Sequence, residues 1–273
     1  MFKGALLKIS GYVFAALCLT LAQSVPAHAD WIKGQFTANG KPVVEYHCVP
    51  AGKGPYPAVV LLHGAGPRGS GDSAMEDICE DLAEAGYYTE FIEYYSQTEE
   101  VVPGQEAKMR ESFPVWLGEI HAGIDSMGQN SQIDPKRIGM MGYSLGAFLS
   151  MATGATDPGK VDAIVEYYGG LSPALRPMAS NLPPTLILHG DADTLVPVAM
   201  AHDLDKLMTD ANRPHQMHIY PGARHAFNFR IPTIYNAADA KDAWNRSLDF
   251  FAQYLGGKPA TNKQASAQAG TPS

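Results

Sequence analysis

The sequence predicts an α/β fold: a mostly parallel β-sheet covered by helices on both faces, with no large inserted lid. Three observations carry that expectation. Residues 56–62 (Tyr-Pro-Ala-Val-Val-Leu-Leu) are continuously apolar rather than alternating, as in strands buried on both faces, and 161–168 reads as another buried strand. Such runs alternate with helix-like segments, the order that builds parallel sheets. The run Ile138-Gly-Met-Met141 turns sharply at Gly142-Tyr143-Ser144-Leu145-Gly146 and continues as small and apolar residues suited to a packed helix.

With 273 residues, 45% of them hydrophobic and 18% charged, the chain is long enough to bury one large core. Its first residues stand apart. Lys3 and Lys8, an apolar run over 12–21 and Ala27-His28-Ala29 form the pattern of a secretory signal peptide cut after Ala29. Without residues 1–29 the chain carries 18 basic and 28 acidic residues, a net charge of about −10. That balance favours neither nucleic acid nor an anionic membrane surface. Cys48 and Cys79 would remain in a compartment that permits disulfides. Two buried free thiols are the first expectation and a bridge the alternative. Residues 257–273 are mainly Gly, Ala, Ser, Thr, Gln, Lys and Pro and are expected as a disordered tail, leaving a catalytic domain over 30–256.

In chain order, 31–37 and 41–49 are expected as two entry strands joined by a tight hairpin at Asn39-Gly40. Strand 56–62 ends in the glycine-rich His63-Gly64-Ala65-Gly66-Pro67-Arg68-Gly69. Asp72 or Ser73 suits the N-cap of a helix running to Glu84 and stopped by Gly86. A strand over 87–94 follows, then a mostly helical stretch over 103–127 that Pro114 is expected to split. Beyond Ser144 and its helix come a strand over 161–168, a proline-containing connection over 171–182, a strand over 184–189 and a helix over 196–209. A strand over 216–220 and an amphipathic helix over 238–255 complete the series. The 171–182 connection is too short for a lid domain.

A serine with glycines two residues before and after it, at a strand-to-helix turn, suits a strained backbone that pushes the hydroxyl outward. Larger side chains at 142 or 146 would clash there. A hydroxyl becomes a good nucleophile only beside a base that an acid orients. In an open parallel sheet those groups come from loops at the carboxyl ends of later strands. The acid is expected at Asp193, with Asp191 bracing the loop or, as the alternative, taking its place. His225, just past strand 216–220, is the expected base, because His202 lies on a helix and His215 and His218 within or beside a strand. Oxyanion donors are expected from the amides of Leu145 and Ala65, with Gly64 or Gly66 as alternatives to Ala65. His63 is expected to brace that loop. Tyr94, Tyr143 and Phe227 are expected to bind substrate, on a rim shared with Tyr95, Trp116 and Met151. Gly64, Gly66 and Gly69 also match Gly-x-Gly-x-x-Gly, but Pro67, Gly69 and Gly71 are poor helix formers where a dinucleotide site needs a helix to begin. No metal-ligand spacing is present, and no organic cofactor is implied.

With these residues in place the chain resembles the dienelactone hydrolase family of the α/β-hydrolase superfamily over about 55–256. Beyond Ser144, Asp193 and His225, the likeness includes Leu-Ala-Glu-Ala-Gly-Tyr at 82–87 and Asp-Pro-Lys-Arg-Ile-Gly at 134–139. It extends to Tyr168-Gly169-Gly170, the loop over 220–227 and Ala243-Trp244. Gly-x-x-Asp-x-x-Val-Pro at 190–197 resembles the usual setting of the acid in such hydrolases. The resemblance implies an α/β-hydrolase fold and a hydrolytic reaction. Two departures bear on substrate. Dienelactone-cleaving members use cysteine where this chain has Ser144, and they carry a glutamate where it has His63-Gly64-Ala65. A serine depends on His225 as a standing base, which moves the expectation toward ordinary carboxylic esters. The expected protein is a secreted or periplasmic serine hydrolase of small esters, acting through an acyl-enzyme. Lactone hydrolysis, peptidase or acyltransferase chemistry on the same residues, and a catalytically silent binding module are the alternatives. The expected partner is a small-molecule ester or lactone, with no nucleic acid and no membrane anchor after signal cleavage; oligomeric state stays open.

Overall fold

The computed structural model describes residues 30–67 and 72–258. The expected signal peptide, and the expected tail beyond Lys258, lie outside the described residues. All eight described strands join one sheet in the order β1-β2-β4-β3-β5-β6-β7-β8. These are β1 (Ile32–Ala38), β2 (Lys41–Cys48), β3 (Tyr56–Leu62), β4 (Tyr88–Ile92), β5 (Ile133–Tyr143), β6 (Ala163–Tyr167), β7 (Thr185–Gly190) and β8 (His215–Tyr220). β1 pairs antiparallel with β2 and β2 antiparallel with β4, and every pairing from β4 to β8 is parallel. Asn39 and Gly40 turn the first hairpin with φ of 52° and 74°, the left-handed pair that matches strand twist. Every residue of β3, β4, β6 and β7 is buried, which is why β3 reads as an unbroken apolar stretch.

Five α-helices of the described residues cover the sheet: α1 (Asp72–Glu84), α2 (Glu106–Met127), α3 (Leu145–Thr156), α4 (Ala199–Asp210) and α5 (Ala237–Leu255). Two separate cores result. Met75, Ile78 and Leu82 of α1 join Trp244, Leu248 and Phe251 of α5 on one face. Trp116 and Ile120 of α2, Leu149 and Met151 of α3, and Leu204 and Met208 of α4 fill the other. No helix of the described residues is long and apolar enough to cross a membrane.

Three expectations change. Pro114 does not split its helix, and α2 runs unbroken from Glu106 to Met127. The missing N–H leaves the Arg110 carbonyl without its helical donor, but Pro114 is exposed and water can supply one. The 171–182 connection contains a 3-10 helix, Pro173–Asn181. Cys48 and Cys79 are joined in a disulfide rather than free, with Cα atoms 5.8 Å apart. Their spacing alone could not show this, because it is β2 reaching α1 across the sheet that brings them together. In the chain-entropy account, closing a loop with a sequence separation of 31 stabilises the fold by roughly 3–4 kcal/mol. The Cys48→Ala/Cys79→Ala double variant should therefore lose about that much in urea unfolding. Added reductant should move the wild-type midpoint and leave the variant's unchanged.

Candidate active site

The parallel register aligns the carboxyl ends of five strands. Leu62 pairs with Gly142, Tyr143 with Tyr167, Tyr167 with Leu188, and Gly190 with Tyr220. Loops leaving those ends must therefore meet along one edge of the sheet. At the centre, β5 turns directly into α3 through Ser144, whose φ of 53° and ψ of −115° lie outside the ordinary regions for a side-chain-bearing residue. Two glycines permit the turn. A Cβ on Gly142 would strike the backbone of Gly146 and the hydroxyl of Ser150, and one on Gly146 would strike the carbonyls of Leu62 and His63. Backbone bonds hold the strained residue, with Ser144 N–H donating to Tyr167 O (3.0 Å) and Ser144 O accepting from Ala147 (2.9 Å).

The Ser144 hydroxyl lies 3.0 Å from Nε2 of His225, and Nδ1 of His225 lies 2.7 Å from Oδ2 of Asp193. An ionised carboxylate only accepts, so Nδ1 carries the hydrogen and Nε2 is left to accept from the serine. The loops that bring these residues together are stitched to each other. Asp191 N–H donates to Tyr220 O (3.2 Å), Ala192 N–H to Ala223 O (3.1 Å), and Gly222 N–H to Oδ1 of Asp191 (2.6 Å). Gly190 admits this approach, since a Cβ there would meet the Ala223 backbone. Asp191 thus braces the loop, while Asp193 faces the histidine.

Asp193 is 7% exposed. Burial opposes its ionisation, yet the hydrogen bonds from His225 and from the amides of Val196 (2.9 Å) and Leu195 (2.8 Å) outweigh it and hold the carboxyl below its ordinary range. A second histidine flanks the same acid. His189 is fully buried, its Nε2–H donates to Val196 O (2.9 Å), and that nitrogen stands 3.5 Å from Oδ2 of Asp193. Burial pushes the His189 pKa down, so it donates without adding a second positive charge.

Next to the serine lies the loop that leaves β3. A Cβ on Gly64 would come within 3.3 Å of the Ser144 Cβ, so the loop passes directly beside the hydroxyl. His63 does brace it. Its Nδ1–H donates to Gly64 O (2.7 Å), and its ring stacks on Tyr94 at 4.1 Å, whose hydroxyl donates to His63 O (2.8 Å). As the first residue of α3, Leu145 has an amide with no acceptor inside the helix. Ala65, on the β3 loop, lines the same space as Ser144.

That space is a cavity of about 480 Å³ lined mostly by apolar side chains, with Ser144 and His225 on its wall. Of the three side chains expected to bind substrate, Tyr143 lines it. Tyr94 and Phe227 do not; both are fully buried and pack behind the wall, as do Tyr95, Trp116 and Met151. These aromatic side chains pack on one another instead, Tyr94 and Tyr95 against Trp116 and Phe227 against Tyr168. Sequence reasoning missed Tyr168, Met75, Leu195, Phe229, Arg230 and Ile231, which line the cavity instead. Tyr168 packs edge-on against His225 (4.6 Å) and donates its hydroxyl to Asn228 (2.8 Å). Only its position before Gly169-Gly170 at a strand end hinted at that. Among the described residues, no group of three or more His, Cys, Asp or Glu is placed to hold a metal ion.

Residues 43–255 match the dienelactone hydrolase family. The chain belongs to that family. A Methylorubrum extorquens protein named "Putative carboxymethylenebutenolidase" is 27% identical over 227 residues, covering 77% of this chain and 76% of its own. A Bradyrhizobium protein named "Probable 2-oxo-3-(5-oxofuran-2-ylidene)propanoate lactonase" is 25% identical, covering 84% of this chain and 96% of its own. Among solved structures, a dienelactone hydrolase-like promiscuous phosphotriesterase from metagenomic libraries superposes with a TM-score of 0.74 at 18% identity. That match spans 84% of this chain and all of the other, and it speaks to the α/β-hydrolase fold alone. Membership of the dienelactone hydrolase family makes this protein a hydrolase.

Two outcomes follow from the geometry. Gly146→Ala forces a methyl into backbone carbonyls, and should cost about 1–3 kcal/mol of stability. It should also slow labelling of Ser144 by a fluorophosphonate by roughly 10²-fold, since small displacements at a reacting centre are that costly. For Asp193 the folded pKa is lowered from 3.8, so its ionised form stabilises the fold above that value and this contribution fades as pH falls below about 4. The acid limb of a stability–pH profile should accordingly be shallower in Asp193→Asn than in wild type.

Proposed function

We propose that this hydrolase cleaves carboxylic esters, cyclic ones included, by a serine mechanism. The observation that carries the reading is the unbroken chain Ser144–His225–Asp193 opening onto an apolar cavity. In this reading Ser144 Oγ attacks the carbonyl carbon while its proton passes to Nε2 of His225. Asp193 holds the ring and stabilises the imidazolium by accepting from Nδ1. Amides of Leu145 and Ala65 receive the negative charge that develops on the carbonyl oxygen. His225 then protonates the departing alkoxide, leaving an ester on Ser144. Water, deprotonated by the same nitrogen, attacks that ester and restores the serine. A lactone follows the same steps with its alkoxide tethered to the acyl group. The lactonase and butenolidase names of the relatives support cyclic esters. The mostly apolar lining supports an uncharged acyl or alcohol portion.

Export to the periplasm or beyond belongs to the same proposal. The basic start, apolar run and Ala27-His28-Ala29 support it, as does a disulfide that would not persist in a reducing cytosol.

Turnover of 4-nitrophenyl acetate, 4-nitrophenyl butyrate and a γ-lactone tests the reading. Ser144→Ala should remove all turnover above background, and Asp193→Asn should lower kcat by about 10⁴-fold. Turnover that survives in Ser144→Ala would sink the assignment. Absence of any serine-dependent turnover across esters and lactones would leave a silent binding module as the better reading.

A further inference from the structure

Glu166 is a carboxyl group in the middle of the sheet that the proposed reaction does not use. It sits on β6 between Gly142 of β5 and Ile187 of β7, fully buried. One oxygen, Oε2, accepts the Gly169 N–H at 2.8 Å. The other, Oε1, is buried with no hydrogen-bond partner among the described residues. Among the described residues its surroundings supply no counter-charge. It shares a sheet face with Ile164, toward α3, and α3 carries no ionisable side chain. Tyr143 of β5 and Tyr167 of β6 belong to the core of the opposite face, where Asp242 and Arg246 of α5 also pair. Asp162 lies beyond the far end of β6, where it accepts from Ile138 N–H. Asp134, Lys136 and Arg137 occupy the opposite end of β5 from Gly142. On β7, His189 is two residues past Ile187 on the same face, and burial keeps it neutral.

A buried carboxyl without a cation is held far more cheaply as the neutral acid. Burial pushes the Glu166 pKa up to about 8, against the opposing pull of the Gly169 amide. What the group holds is close to the serine and histidine. A Cβ on Gly169 would come within 2.9 Å of Oε2 of Glu166 and would strike Ala147 in the first turn of α3, so carboxyl, glycine and helix are packed without slack. Gly169 follows Tyr168, which is held at a φ of 43° with its ring edge-on to His225 and its hydroxyl on Asn228.

We propose that Glu166 is a positioning residue: as an uncharged acid it pins the Tyr168–Gly170 turn against His225, and loss of its proton releases that turn and with it the alignment of the histidine. The sign follows from burial. Ionisation would create an unpaired charge in the core, which only opening of the turn to water relieves. The catalytic consequence rests on the serine-hydrolase reading, whereas the pinning itself does not.

The test compares wild type, Glu166→Gln and Glu166→Ala. Gln keeps a carbonyl acceptor for Gly169 and cannot ionise. With 4-nitrophenyl butyrate, and Ser144→Ala as background, wild-type kcat/KM should fall about tenfold per pH unit above roughly pH 8. Glu166→Gln should keep its plateau to about pH 9.5, with a neutral-pH value within about threefold of wild type. Glu166→Ala should be impaired at every pH. Identical alkaline limbs in wild type and Glu166→Gln would overturn the proposal. Amide hydrogen exchange over residues 168–171, corrected for intrinsic rate, reads the same event without activity. Protection should drop between about pH 7 and pH 9 in wild type, and protection unchanged over that range overturns the pinning even if neither variant folds. Should wild type show no serine-dependent turnover at any pH, the hydrolase mechanism fails while the exchange result still decides the role of Glu166.

Discussion

The site depends on one close approach: the first turn of α3 lies directly on the carbonyl ends of β3 and β5. Gly142 and Gly146 are the residues that allow it, because any Cβ at either position would occupy backbone already in place. That contact holds Ser144 at a φ a serine rarely adopts, at the very start of α3. Holding a residue there costs on the order of 1–3 kcal/mol, which the surrounding parallel ladder must offset. The ladder does so by burying every residue of β3, β6 and β7 and by tying Ser144 N–H to Tyr167 O. The cost of that strain is thus spread over several strands.

Electrostatics around that residue follow from what each buried carboxyl can accept. Asp193 receives three hydrogen bonds and stays charged despite its burial. Glu166, a few residues away across the strand ends, receives one and favours the neutral form. Two acids of similar intrinsic strength therefore take opposite forms near neutral pH. The difference lies in donor count, to which the charge of His225 adds at Asp193. In the proposed mechanism the charged one orients His225, and the neutral one steadies the turn that packs beside it.

Much of the fold was legible because its strands are buried on both faces and its helices are striped, and both patterns survive in one dimension. Ser144, Asp193 and His225 were legible for a related reason. Chain order and the carboxyl ends of strands confine where such groups can stand, and the resemblance of Gly-x-x-Asp-x-x-Val-Pro to the usual setting of the acid in such hydrolases then favoured Asp193 over Asp191. The substrate-facing residues were not. Tyr94 and Phe227 have the chemistry of a pocket wall, yet Tyr94 is stacked on His63 and Phe227 packed against Tyr168 and Tyr220 in the core. Leu195, Phe229 and Ile231 sit on loops whose paths no periodicity encodes.

What the sequence by itself determined is a parallel α/β-hydrolase fold, membership of a hydrolytic family and the identity of the residues that meet at its centre. Those properties are local in period or ordered along the chain. Only the tertiary structure decided the cavity lining, the Cys48–Cys79 bridge, the continuity of α2 through Pro114 and the isolation of Glu166. Each depends on which surfaces different strands and helices turn toward one another, and on whether water reaches them. Neither quantity has a signature in linear spacing.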